Sequence, residues 1–173
     1  MPEDASLRRP PPVPPMPPGM GIRALDLSDA ATASEVHAVG RRAYAVEAEL
    51  IGFDGIPALT ESLRELTARP LRWLGAVTGE GTVAAFVAWE TETDRRVTHI
   101  DRVCVDPAWF RRGLASRLLN HLLTEVVVGH EVRVSTGADN EPAVRLYARL
   151  GFDRTADSHP EPGLRMAHFV RPH

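Results

Sequence analysis

Between Ile100 and Val127 the pattern of apolar positions changes period. The first part, ending at Asp106-Pro107, reads as a β-strand. From Leu114 onward apolar residues recur in pairs every fourth position: Leu114 and Ala115, Leu118 and Leu119, Leu122 and Leu123, Val126 and Val127. That spacing predicts one amphipathic helix from about Gly113 to Val127, with Arg117, Asn120, His121, Thr124 and Glu125 outward. The turn Phe110 to Ala115 therefore places backbone N–H groups and two guanidinium groups at a helix start, where orphan donors and a partial positive charge attract anions.

The rest of the chain can be divided in the same way. Ile22 to Leu27 alternates weakly and predicts a strand. Ser28 or Asp29 can cap a helix running to about Tyr44, with Val36, Val39 and Ala43 on one face. Residues 45–55 read as a loop, and Pro57 suits the first turn of a second helix whose stripe is Leu59, Leu63 and Leu66 and which ends at Arg69-Pro70. Leu71 to Thr78 and Thr82 to Thr91 predict two strands joined by Gly79-Glu80-Gly81. Val97 to Val105 is the strand entering the first stretch. Beyond the long helix come a strand at Glu131 to Thr136, a helix from Asn140 to Leu150 closed by Gly151, and strands at Phe152 to Thr155 and Leu164 to Val170. The order β-α-α-β-β-β-α-β-α-β-β predicts an α/β (α+β) fold, with about seven strands in a mixed sheet and helices on both faces.

Composition narrows the picture only locally. A chain of 173 residues fits one domain, here expected over 21–173. The net charge of −3 gives no reason to expect nucleic acid. All 20 basic residues are Arg, which reads as coding bias and removes lysine as a catalytic amine. Cys104 is the single cysteine, compatible with a cytoplasmic setting, and no apolar run reaches membrane-spanning length. Residues 1–20 hold eight of the fifteen prolines and predict an extended or disordered tail. Pro11 to Pro14 and Pro12 to Pro15 each fit a PxxP ligand, although a functionless leader is the plainer reading, and Met16 or Met20 could be the start. No metal-ligand spacing occurs, so no metal is expected.

Two motifs carry a resemblance. Val103 to Leu119 is a strand, a Pro-containing turn and a helix opening with Arg-Arg-Gly-Leu-Ala; Asn140 to Phe152 spells Asn-x-x-Ala-x-x-Leu-Tyr-x-x-x-Gly-Phe. Together, and in this order, they resemble the acetyl-CoA-binding segment and the following helix of the GNAT superfamily of N-acetyltransferases. The resemblance extends from Gly21 to about Val170. One position departs from it: Phe110 stands where the family pattern has Gln or Arg. The backbone N–H groups from Arg111 to Ser116 do not depend on that side chain.

The resemblance implies a GNAT-like, mostly antiparallel sheet and an acetyl-CoA-dependent transfer to an amine. It implies that Arg111, Arg112, Gly113, Leu114, Ala115 and Ser116 meet the diphosphate, and that Val103, Cys104 and Val105 carry the pantetheine arm. It places Asn140, Ala143 and Tyr147 along that arm, with Tyr147 as general acid. An N–H near Val105 would stabilise the oxyanion, worth roughly 2 to 4 kcal/mol. Each residue also has a plainer reading: Tyr147 as a core aromatic, Asn140 as a helix cap, the arginines as a solvated turn, Cys104 as a small buried hydrophobe. His99 is a candidate base, sharing a strand face with Asp101 if no bulge intervenes; Asp101 and Glu90 are rivals. The acceptor is a small-molecule or peptide amine, its site formed by Tyr44 to Leu66 and Asp157 to Met166, where Glu47, Glu49, Asp54 and Glu61 could attract a cation or merely face solvent. No nucleic-acid or membrane partner is expected, and homodimers are common in such folds. A catalytically weak acyl-CoA-binding module is the alternative; a nucleotide-binding module fits less well, since the turn lacks a P-loop ending.

Overall fold

The structure, a computed structural model, describes residues 12, 13 and 15–173. The first part of the proline-rich tail, with the PxxP matches that need Pro11 and Pro14, lies outside the described residues. Met16 and Met20 pack against the core. One sheet of eight strands is built from β1 (Gly21–Ala24), β2 (Arg72–Val77), β3 (Val83–Glu92), β4 (Val97–Val105), β5 (Glu131–Gly137), β6 (Asp153–Arg154), β7 (Ser158–Glu161) and β8 (Leu164–Arg171). Its order is β1-β2-β3-β4-β5-β8-β6, with β7 also on β8. Among the described residues only β4 and β5 run parallel; every other pair is antiparallel. The mostly antiparallel mixed sheet is the architecture expected, with one strand more. That strand, β7, reads Ser-His-Pro-Glu and shows no alternation, and its proline is tolerated because the strand pairs on one side only.

Among the described residues four α-helices flank the sheet: α1 (Ala30–Ile51), α2 (Leu63–Thr67), α3 (Leu114–His121) and α4 (Glu141–Arg149). They cover opposite faces. Val36 and Val39 of α1 and Leu66 of α2 pack with Phe86, Ala88 and Cys104. Leu114, Leu118 and Leu119 of α3 and Leu146 of α4 pack on the other face with Ala85, Val87 and Trp89. Successive β3 residues therefore serve alternate cores, as the period of a strand requires.

Three predicted boundaries moved. Asp29 caps α1 by accepting from the Thr32 N–H at 2.9 Å, as expected, but the helix runs to Ile51 and stops at Gly52, whose φ is 65°. Residues 45–51 contain no breaker and are mostly strong helix formers, so the expected loop at 45–55 is reduced to 52–56. The expected second helix is two pieces, a 3-10 turn at Pro57–Leu59 and then α2, because Ser62 and Glu65 form a capping box that starts the helix afresh. The long central helix changes to a π turn over Leu122–Val126, closed by Val127 N–H to Leu122 O at 2.9 Å. The wider turn shifts the stripe: Val127 stays buried while Val126 is 36% exposed.

Candidate active site

The parallel ladder between β4 and β5 holds only Val97–Glu131, Thr98–Val132 and His99–Arg133. Beyond that point β4 remains paired to β3 as far as Val105, and β5 remains paired to β8 as far as Gly137. Each strand is thus held from its outer side and released on its inner side, which opens a V-shaped cleft with strand backbone along its walls. A bulge lies at its apex. Ala88 pairs with Arg102 while Trp89 pairs with Ile100, so Asp101 is an extra residue on β4. The face shared by His99 and Asp101, which assumed no bulge, is corrected accordingly: the strand changes phase between them.

A cavity of about 370 Å³ sits in this cleft. Asp101, Arg102 and Val103 of β4 and Val134 to Gly137 of β5 form its strand walls, and α4 contributes Asn140, Ala143 and Tyr147. From α1 come Tyr44, Glu47 and Ile51, and the β7–β8 hairpin brings Pro160, Glu161, Leu164 and Met166. Tyr147, only 4% exposed, packs on Phe152 and Phe169 with ring centroids 5.6 and 5.4 Å away. Burial, reinforced by the nearby Glu47 charge, raises its phenol well above the ordinary value, so the hydroxyl keeps its proton at neutral pH. Asn140 caps α4 by accepting from the Ala143 N–H at 3.3 Å, and its amide donates to the Thr136 hydroxyl at 3.3 Å.

Glu47, one of the four carboxylates expected to attract a cation or merely face solvent, stands on a different element from the one expected. It was assigned to a loop, yet it lies on α1 in phase with Val36, Gly40 and Ala43, on the stripe that faces the sheet. Burial raises its carboxyl above the ordinary glutamate value, while the neighbouring polar side chains of Asn140 and Thr136 draw it back down. Continuing the helical stripe past Tyr44 would have found it.

The other carboxylates are committed elsewhere. Asp101 pairs with Arg69 and with Arg102 Nε at 2.6 Å, and Arg102 Nη1 reaches Glu61 at 2.8 Å. Burial works against the Arg102 charge, but its acidic partners outweigh that and hold the guanidinium firmly protonated. His99 bonds Glu92 Oε1 at 2.7 Å, and neither it nor the exposed Glu90 lines the cavity. Cys104 is buried, which pushes its thiol up to about 12; only an unactivated side chain results.

Past the C-terminal end of β4 the chain makes a 3-10 turn at Pro107–Trp109 and enters α3 through Arg111 and Gly113, both at positive φ, 62° and 71°. Among the described residues, no protein acceptor meets the backbone N–H groups from Arg111 to Ser116. Arg112 lies over the Trp109 ring at 4.6 Å, and Arg111 is exposed. Phe110 is 41% exposed and so does not join the core. This is a donor-lined, cationic turn suited to a diphosphate, and it follows directly on the strand that walls the cleft. Among the described residues no cluster of three metal-ligating side chains occurs, and no helix is long and apolar enough to cross a membrane.

Residues 41–152 match the model of the Acetyltransferase (GNAT) family. The chain is 31% identical over 158 residues to the L-methionine sulfoximine/L-methionine sulfone acetyltransferase of Salmonella typhimurium, covering 87% of this chain and 90% of that one. It is 32% identical over 148 residues to UPF0157 protein YqkA of Bacillus subtilis, 86% of this chain, and spans 42% of that relative's length. The fold is that of the PaiA N-acetyltransferase of Thermoplasma acidophilum in complex with coenzyme A, with a TM-score of 0.68 at 15% identity, covering 89% of this chain and 99% of that one.

Proposed function

Because the chain belongs to the GNAT acetyltransferase family, we propose that it moves an acetyl group from acetyl-CoA to a primary amine of a small molecule or peptide, by direct attack in a ternary complex. The observation that carries this reading is the cleft. Strand backbone released from its ladder on β4 leads directly into the cationic turn of Arg111 to Ser116. In our reading the turn takes the diphosphate on its N–H groups, with Arg111 and Arg112 adding charge. The pantetheine arm runs along Val103 to Val105, and a backbone N–H near Val105 receives the oxyanion as the thioester carbonyl is attacked. Tyr147 supplies the proton to the departing thiolate; its buried, protonated phenol suits that step. The relative named for L-methionine sulfoximine and sulfone supports an amino acceptor of modest size, matching a cavity of about 370 Å³. The cytoplasm is the setting we propose, on the single unactivated cysteine.

Calorimetry with acetyl-CoA and with ATP tests the cofactor half of the reading: heat and a thermal shift are expected with the first and neither with the second. Release of free CoA thiol across a panel of primary amines tests the chemistry. A chain that gave no heat and no thermal shift with acetyl-CoA would refute the reading.

A further inference from the structure

The amine must lose a proton before its nitrogen can attack, and the cavity has one group placed to take it. Three carboxylates line the cavity: Glu47, Asp101 and Glu161. Asp101 is committed to Arg69 and Arg102, and Glu161 is exposed on the β7–β8 hairpin. Among the described residues no cation lies within ion-pair distance of Glu47. Yet it is half-buried on α1, lining the same cavity as Tyr147. The charged and titratable groups facing that cavity are Tyr44 from α1, Asp101 and Arg102 from β4, Tyr147 from α4 and Glu161 from β7. The one cation facing it among the described residues, Arg102, is already satisfied by Glu61 and Asp101. A desolvated carboxylate left without a positive partner beside a phenol and an open cavity is incomplete; an ammonium group completes it.

We infer that Glu47 is the catalytic base and the anchor of the acceptor amine. This rests on the transferase reading above and extends it to the substrate: a protonated primary amine enters, its charge paired with the Glu47 carboxylate. One nitrogen proton passes to Glu47. The freed lone pair forms the N–C bond to the thioester carbon, and collapse of the tetrahedral intermediate breaks the C–S bond. The thiolate takes the Tyr147 proton, the nitrogen's second proton returns to Tyr147, and Glu47 releases its own proton to solvent. The products are an acetamide, free CoA thiol and one proton. Burial, which raises the Glu47 carboxyl, makes it a better proton acceptor than an exposed glutamate. Glu47 lines one cavity with Thr136 of β5 and with Asn140 and Tyr147 of α4, and Asn140 is bonded to the Thr136 hydroxyl, so base and acid face the same space.

The test uses the full chain with acetyl-CoA and an amine acetylated in the panel. It compares kcat/KM against pH for wild type, Glu47→Gln and Glu47→Asp, with acetyl-CoA affinity measured by calorimetry. Wild type can use the protonated amine, so its kcat/KM levels off below the amine's own pKa. Glu47→Gln must wait for free amine. Its kcat/KM falls by about 10²-fold or more near neutral pH and keeps rising until the amine itself deprotonates. Glu47→Asp restores part of the rate and the plateau, and acetyl-CoA affinity is unchanged in both. A Glu47→Gln profile that matched wild type would overturn the assignment and leave the transferase reading standing. Loss of acetyl-CoA affinity in step with rate would also overturn it, since the role would then be structural. A wild type that bound acetyl-CoA but acetylated no amine would overturn the transferase reading and this assignment together.

Discussion

Tyr147 packs as a core aromatic, and in the proposed reaction it is also the acid. Its ring fills the space between Phe152 and Phe169, which satisfies the helical stripe that alone would make it a core residue. Tyr147 also lines the cavity that Glu47 lines. Tyr147→Phe keeps the ring and deletes only the proton donor. Turnover should therefore fall by about 10²-fold or more, with acetyl-CoA affinity and melting temperature close to wild type. Steady-state kinetics paired with calorimetry reads both; an equal loss in turnover and affinity would mean that the phenol is part of the binding wall and not an acid. Because burial holds the phenol above its ordinary value, no alkaline loss of activity from Tyr147 is expected below pH 10.

At the scale of elements, the α3 turn depends on backbone shape more than on side chains. Gly113 starts the helix at φ 71°, and the N–H groups around it can serve as the proposed anion site only while that turn holds. Gly113→Val puts a β-branched residue where even alanine costs on the order of 1 kcal/mol. The expected result is a clear rise in the acetyl-CoA dissociation constant by calorimetry with the fold retained by circular dichroism; unchanged affinity would refute the assignment of this turn to the diphosphate. This turn was legible in the sequence because an apolar period and a glycine mark it. So were β2 to β5 and α4, each bounded by a turn residue or a cap. Other features were not. The π turn at Leu122–Val126 keeps the same apolar spacing as a regular helix, and only the outward Val126 betrays it. The bulge at Asp101 has no glycine to signal it, and it arises from the register between β3 and β4. The strand β7 is a partner imposed by β8 on a segment with little strand propensity of its own.

The site is a property of the whole molecule, because its walls come from an early helix, the middle strands and the last hairpin. No local pattern could bring Glu47 to one cavity with Asn140 and Tyr147; the fold does so by carrying α1 over β4 and starting α4 just past the end of β5. That arrangement has a thermodynamic consequence. A carboxyl whose folded pKa lies above its ordinary 4.5 holds a proton in the folded state that the unfolded chain has released. Folding is therefore disfavoured by Glu47 as pH rises through the interval between those two values, and the penalty is constant above it. Below 4.5 both states are protonated and the penalty vanishes. The carboxyls held low, such as Asp157 by Arg154, have the opposite sign, since their contribution is lost as pH falls. They are the same in wild type and in a Glu47 variant and cancel in the difference. Glu47→Gln keeps a hydrogen-bond acceptor without the charge. Its melting temperature should match wild type in acid, pull ahead as pH rises through the interval, and stay ahead at neutral pH. Thermal melts of the two proteins across pH read this directly. A variant less stable at every pH would show that the carboxylate is a structural hydrogen-bond partner, and that its charge is not held at a cost for the amine it awaits.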